Sequence, residues 1–78
     1  MSPFILDIPD HALERLRLRK ITRHQVRQAI MLGELVEVKE NGRNIRRHKI
    51  GNRFLEVVYL NRMGGFILIT CYWGGEFP

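Results

Sequence analysis

Hydrophobic positions near the start of the chain recur at helical spacing. Leu13 and Leu16 are three residues apart, and Ala12 widens the same apolar face. This pattern predicts a first helix that Asp10 caps and that ends in a basic turn near Lys20.

A second helix is indicated directly after the first. Thr22 and Gln25 have the spacing of a capping box, and Gly33 predicts a left-handed stop. Between them the apolar residues repeat at helical spacing: Val26, Ala29 and Ile30. Because only about two residues separate the helices, we expect a helix hairpin whose apolar faces pack on a third surface.

The second half of the chain changes to the patterns typical of strands. Four strands are predicted, over residues 35–38, 43–50, 54–60 and 66–72, with turns at Asn41-Gly42, at Gly51-Asn52 and over residues 61–65. The last strand is apolar on both faces and is expected in the interior of the sheet. The predicted fold is therefore α+β, with a helix hairpin on a mostly antiparallel four-stranded sheet in the order α-α-β-β-β-β.

The second predicted strand differs from its neighbours in charge. It has no acid, and only Ile45 and Ile50 are apolar. Its cations and those of the following turn are Arg43, Arg46, Arg47, Lys49 and Arg53, with His48 among them. We expect either a solvated edge strand or a strand that presents one face to a polyanion.

Length and charge limit the class of protein. The chain has 78 residues, a net charge of +5 and 45% hydrophobic residues, which predicts one basic globular domain over residues 1–78 with a core from about 4 to 74. Six cations lie in residues 11 to 27 against one acid. Segregated positive charge favours nucleic acid as the partner, and a solvated surface is the alternative.

Other classes of protein are disfavoured. Cys71 is the only cysteine, so one chain can form no internal disulfide and no zinc site built on several cysteines. The apolar runs Phe4 to Leu6 and Phe66 to Trp73 are far shorter than the roughly 20 residues of a membrane-spanning helix. We expect a cytoplasmic protein with no membrane contact, no metal and no cofactor.

Three polar side chains form a stripe on the first helix. His11, Arg15 and Arg19 are four residues apart, so they point the same way. A neutral imidazole beside two guanidinium groups can serve as a base next to two phosphate-binding groups. In the structural alternative, His11 bonds a strand carbonyl and the arginines pair with acids of the first strand.

The later candidates lie on strands. Thr70 and Tyr72 are expected on one face of the last strand, with Leu68, where two hydroxyl groups could contact a phosphate or a ribose. Trp73 could stack on a base, but we favour a packing role for it. His48 is either an exposed residue of an edge strand or a second proton-transfer group.

A signature in the first helix resembles a known family. The segment His11-Ala12-x-x-Arg15-Leu16-x-x-Arg19-x-Ile21 is similar to the HAxxRMxxRxI pattern of a family of small prokaryotic domains of unknown function. The resemblance continues through Val26, Ala29-Ile30 and Gly51-Asn52 into Leu68-Ile69-Thr70-x-Tyr72. Two positions depart from the pattern: Leu16 replaces the usual Met, and Lys20 replaces a common Gly.

The resemblance implies a fold and an activity. The family is grouped with BrnT and the RelE/ParE toxins, in which two N-terminal helices pack on a curved antiparallel sheet. It implies metal-independent RNA cleavage, in which a 2′-hydroxyl attacks the adjacent phosphate. The implied signature positions are His11, Arg15 and Arg19, with Thr70 and Tyr72 opposite them.

Together these observations predict a toxin-type RNA-binding protein and, as a hypothesis, an endoribonuclease. The candidate catalytic residues are His11, Arg15, Arg19, His48 and Tyr72. The candidate nucleic-acid-binding residues are Lys20, Arg43, Arg46, Arg47, Lys49, Arg53 and Thr70. The expected partners are RNA and a cognate antitoxin that covers the cationic face. The alternatives are a non-catalytic module that binds nucleic acid or an acidic protein, and an inactive domain on the same scaffold.

Overall fold

The computed structural model describes residues 4–74. Two helices and five strands follow the chain in the order β1 Ile5–Asp7, α1 Asp10–Arg19, α2 Arg23–Leu32, β2 Glu34–Val38, β3 Asn44–Ile50, β4 Arg53–Arg62 and β5 Gly65–Gly74. The fold is α+β, as the change of hydrophobic period predicted.

The strands form one mixed sheet in the order β1-β5-β4-β3-β2. Strands β2 to β5 pair antiparallel with their neighbours along the chain, whereas β1 pairs parallel with β5. The prediction of four strands with the helices first was therefore wrong in number and order. A strand of three residues is too short to show an alternating pattern, and β1 is held by the edge of β5, where the Ile5 N–H donates to the Gly64 carbonyl.

Helix α1 ends in a basic turn near Lys20, as predicted, but its N-cap differs from the predicted Asp10. Pro9 occupies the N-cap position, and Asp10 is the first helical residue and makes no capping bond. Asp10 still places a negative charge at the positive end of the helix dipole. The helix ends at Lys20, which adopts the left-handed conformation with φ 56° and ψ 47°.

The capping box of α2 is confirmed. The Gln25 N–H donates to Thr22 Oγ1 at 3.1 Å, and the Thr22 N–H donates to Gln25 Oε1 at 3.0 Å. The left-handed stop predicted at Gly33 was wrong, because Gly33 is extended with φ −72°. Glycine is needed there for space: a Cβ atom would lie 2.3 Å from the Ala29 carbonyl oxygen.

Both predicted tight turns are confirmed. Between β2 and β3, the Lys39 N–H donates to the Arg43 carbonyl at 2.8 Å and Gly42 has φ 86°. Gly51, with φ 63°, turns the chain between β3 and β4. These glycines adopt a conformation that other residues rarely take.

The helices cover one face of the sheet, which we call the helix face. Helix α1 packs on β5, and α2 packs on β3 and β4. The fully buried side chains of the core include Val26, Leu55, Val57, Leu68 and Cys71. The opposite face, which we call the open face, has no helix on it among residues 4–74.

A bulge on β5 changes which residues share a face. Val58 pairs with Thr70 and Tyr59 pairs with Leu68, so Ile69 is an extra residue without a direct partner. Leu68 therefore lies in the core on the helix face, while Thr70 lies on the open face. The prediction that these two residues share a face was wrong for this reason.

The basic strand β3 is an inner strand. It lies between β2 and β4, so the edge-strand alternative was wrong, and β2 forms the edge. Its cations alternate between faces: Arg46 pairs with the core residue Val57, whereas Arg47 pairs with Glu56 on the open face. The inner strand tolerates Arg47 because no layer of residues 4–74 covers the open face.

The helices of the described region are short. Each of them has ten residues, and neither is long and apolar enough to cross a membrane.

Candidate nucleic-acid interface

The predicted stripe on α1 runs from solvent to the end of the sheet. His11 and Arg15 are exposed, whereas Arg19 is half-buried. Arg19 Nη1 donates to the Cys71 carbonyl of β5 at 2.7 Å. His11 and Arg19 are separated by about 12 Å along the helix axis, because each residue rises 1.5 Å. The three side chains are therefore spread along the helix and do not form a single cluster.

Trp73 joins the end of α1 to the start of β4. Its indole Nε1 donates to the Arg19 carbonyl at 2.9 Å, and its ring packs against the hydrophobic core. The Arg53 guanidinium carbon lies 4.0 Å from the centre of that ring. This contact is short enough for a cation–π interaction, which holds the exposed Arg53 side chain in place.

His48 flanks this group on the same face of the sheet. It pairs with Leu55, which in turn pairs with Trp73, so the three form one row across β3, β4 and β5 on the helix face. Lys20 follows Arg19 directly and is exposed. We refer to Arg19, Lys20, His48, Arg53 and Trp73 as the Trp73 cluster.

Other predicted binding residues lie elsewhere. Arg46 stabilises the fold, because its Nε donates to the Tyr59 hydroxyl at 2.7 Å and its Nη1 donates to the Gly33 carbonyl at 2.9 Å. Arg43 is exposed in the turn between β2 and β3, at the opposite end of β3 from the Trp73 cluster.

The remaining predicted residues lie on the open face. Arg47 donates from Nε at 3.1 Å and from Nη2 at 2.9 Å to Glu56 Oε2, and the Tyr72 hydroxyl donates to Glu56 Oε1 at 3.1 Å. Thr70 and the exposed Lys49 share this face. The predicted basic side chains of β3 are thus divided between two faces and do not form one surface.

Two groups on β5 have raised pKa values. Burial and then the hydrogen bond with Glu56 raise the pKa of the Tyr72 hydroxyl. Burial raises the pKa of the Cys71 thiol to about 11, although the Arg19 charge opposes the shift. Both groups are therefore protonated at neutral pH, and neither is poised as a base.

Most of the positive charge has no acidic partner among residues 4–74. All thirteen Lys and Arg residues lie between residues 4 and 74. Within that region, ion pairs involve only three of them, in the pairs Lys39 with Glu37, Arg47 with Glu56 and Arg62 with Asp7. The other ten supply a positive field, and the stripe of α1 and the Trp73 cluster contribute to it.

Trp73 was underestimated from sequence. Its packing role is confirmed, because its ring packs against the core. Its contacts with Arg19 and Arg53 were not predicted, since they join residues 54 and 20 positions away in the chain. One signal was present: an indole N–H at the end of a strand needs a hydrogen-bond partner.

The described region holds no cluster of three or more His, Cys, Asp or Glu side chains that could bind a metal ion.

Comparison with known proteins identifies the family alone. No curated protein and no solved structure matches the chain significantly. A family model described as a domain of unknown function, DUF4258, matches residues 8–73, which include both helices and strands β2 to β4 and nearly all of β5. The chain therefore belongs to the DUF4258 family of domains of unknown function.

Proposed function

We propose that this chain is a toxin-type RNA-binding protein, related to BrnT and the RelE/ParE toxins, and that single-stranded RNA binds at the Trp73 cluster. The observation that carries the proposal is the contact of Arg53 with Trp73 beside Arg19 and Lys20. Proteins bind single-stranded RNA by combining cations for the phosphates with flat groups for the bases.

Four members of the cluster have a defined part in this proposal. Trp73 packs on the core and supports Arg53, whose planar guanidinium offers a surface on which a base can stack. Arg19 uses Nη1 for the Cys71 carbonyl, and a guanidinium has five N–H groups, so the others can contact a phosphate. Lys20 adds a second exposed charge.

The stripe of α1 extends the proposed binding surface. Arg15 is exposed one turn before Arg19, and His11 is exposed one turn earlier. Neither side chain has a contact with another described residue that would hold it in the fold. The pair is therefore free to contact further phosphates of a bound strand.

RNA cleavage is the second candidate function, and it rests on the same pair. In the reaction, the RNA 2′-oxygen attacks the adjacent phosphorus, the bond to the 5′-oxygen breaks, and a cyclic phosphate and a 5′-hydroxyl are formed. His11 would take the 2′-hydroxyl proton, Arg15 would stabilise the charge on the phosphate, and water would protonate the leaving oxygen.

Binding is tested with purified protein and a labelled single-stranded RNA, by fluorescence anisotropy at several salt concentrations. We expect Arg53→Gln to weaken binding by roughly tenfold or more and to reduce the dependence of log K on log salt by about 0.7 to 1. Lys39→Gln is the matched control, because this exposed cation lies near the distant turn between β2 and β3. Equal losses from both variants would show that binding is a general effect of net charge.

Cleavage is tested by inducing the gene and following growth and RNA integrity. If the chain is a ribonuclease, the wild type arrests growth and degrades RNA, and His11→Ala and Arg15→Ala abolish both effects. Both residues are exposed, so the variants are expected to fold. Intact RNA with retained binding would establish the non-catalytic alternative.

A further inference from the structure

Among residues 4–74, no strand lies beside the outer edge of β2. Strand β2 lies at one end of the sheet, and β3 is its partner among the described residues. All five residues of Glu34–Val38 are exposed. Unpaired N–H and C=O groups along such an edge are the feature that binds extended chains by strand addition.

Exposed apolar side chains border this edge. Leu35 and Val38 pair with helix-face residues of β3 and are 45% and 59% exposed. Met31 and Leu32 end α2, next to the turn into β2, and are 54% and 67% exposed. Apolar side chains grouped beside an open strand edge indicate a protein-binding surface.

The charge of this edge is opposite to that of the protein. Glu34 and Glu37 pair with open-face residues of β3, and Glu40 follows in the turn. Glu37 contacts Lys39 at 3.8 Å, but both side chains are about half exposed, so this ion pair is weak. A chain of net charge +5 thus has a locally acidic edge, which repels phosphate and attracts cations.

These features disfavour a second copy as the occupant. Antiparallel addition of a second β2 would place the Glu34 and Glu37 carboxylates of both chains on one sheet face, where like charges destabilise pairing. The strand also has a bulge at Val36, and a bulge twists an edge away from flat self-association.

We propose that the outer edge of β2 binds an extended segment of a different protein by strand addition. This segment has Lys or Arg side chains that face Glu34 and Glu37, and apolar side chains that lie beside Leu35 and Val38. The surface is separate from the Trp73 cluster, so the proposal does not depend on RNA binding.

The test uses isotope-labelled full-length protein and a short capped peptide of alternating Val and Lys, followed by NMR. We expect saturable shifts of the amide signals of residues 34–38, with slower hydrogen exchange there. A peptide in which Glu replaces Lys is expected to bind at least roughly tenfold more weakly. Equal binding of the two peptides, shifts confined to other residues, or no saturable shift with either peptide would overturn the proposal.

Variants separate charge from apolar contact. Glu37→Lys should weaken binding of the Val-Lys peptide several-fold, whereas Glu14→Lys changes net charge equally on exposed α1 and should not. Leu35→Ser should also weaken it, whereas Leu18→Ser, at a residue 72% exposed on α1, should not. Sedimentation that shows a wild-type dimer abolished by Leu35→Ser would identify a second copy as the occupant and contradict the proposal.

Discussion

Lys20 lies in a conformation that its residue type disfavours. Its φ of 56° places its Cβ near the following carbonyl, which costs an ordinary residue about 1–2 kcal/mol. The conformation allows the Ile21 N–H to donate to the Leu16 carbonyl at 2.9 Å and close the end of α1. The positive charge of Lys20 is thus kept at a position where glycine would be more stable.

We expect Lys20→Gly to raise the free energy of unfolding by about 0.5–1 kcal/mol, because glycine removes the left-handed strain but loses more chain entropy. Urea denaturation measures this change. Lys20→Ala is the control, since it removes the charge and keeps the strain. If Lys20→Gly is no more stable than Lys20→Ala, the strain at this residue does not limit stability.

Cys71 gives a pH dependence with a defined sign. Burial raises the pKa of its thiol from 9.0 to about 11, so between these values the unfolded chain releases the proton while the folded chain keeps it. The folded state therefore loses stability as pH rises through this window, and the contribution is fully present below pH 9. Urea denaturation from pH 8 to 11 should show a steeper loss for the wild type than for Cys71→Ala. Parallel profiles would contradict this assignment.

At the scale of helices and strands, the caps and turns that depend on adjacent residues were predictable from sequence. The order and register of the strands, which depend on contacts between distant residues, were not. The capping box at Thr22 and the turns at Gly42 and Gly51 depend on a few adjacent residues, and all were correctly predicted. The position of β1, the bulge at Ile69 and the inner position of β3 depend on contacts between distant residues. A periodic pattern has no information about such contacts.

The candidate site divides in the same way. The stripe of His11, Arg15 and Arg19 follows from helical spacing and was predictable, although its function is untested. The contact of Arg53 with Trp73 was not predictable from sequence, because it forms only when β4 and β5 pair. Successive side chains along β3 lie on opposite faces of the sheet, which explains why Arg46 and Arg47 are on different faces. This separation could have been predicted once the strand was assigned.

Three strands are joined on the open face by one carboxylate. Glu56 of β4 accepts from Arg47 of β3 and from Tyr72 of β5, and its side chain is 15% exposed. We expect Glu56→Ala to lower the free energy of unfolding by about 2–4 kcal/mol, because it leaves a half-buried guanidinium and a hydroxyl unpaired.

The matched control for Glu56 is the exposed ion pair between Asp7 and Arg62. Asp7→Ala should cost less than about 1 kcal/mol, as exposed pairs do. Urea denaturation of both variants measures the difference. A cost at Glu56 no larger than that at Asp7 would show that the open-face contacts contribute little to stability.

At the scale of the whole molecule, charge separates two surfaces. Cations that form no ion pair with another described residue surround the end of α1 and the start of β4, whereas acids border the edge strand β2. Net charge alone would predict a protein with one uniformly basic surface. The arrangement instead allows RNA and a protein partner to bind at different places, so Glu37→Lys should leave RNA affinity unreduced in the anisotropy measurement.

Trp73 provides the most direct test of the central claim, because it is the only tryptophan in the chain and lies within the proposed RNA site. The measurement is its fluorescence during titration with single-stranded RNA, for the wild type, Arg53→Gln and Lys39→Gln. We expect saturable quenching that needs roughly tenfold more RNA for Arg53→Gln and is almost unchanged for Lys39→Gln. Binding by anisotropy without any change of Trp73 fluorescence, or an equal loss in the two variants, would contradict the proposed site.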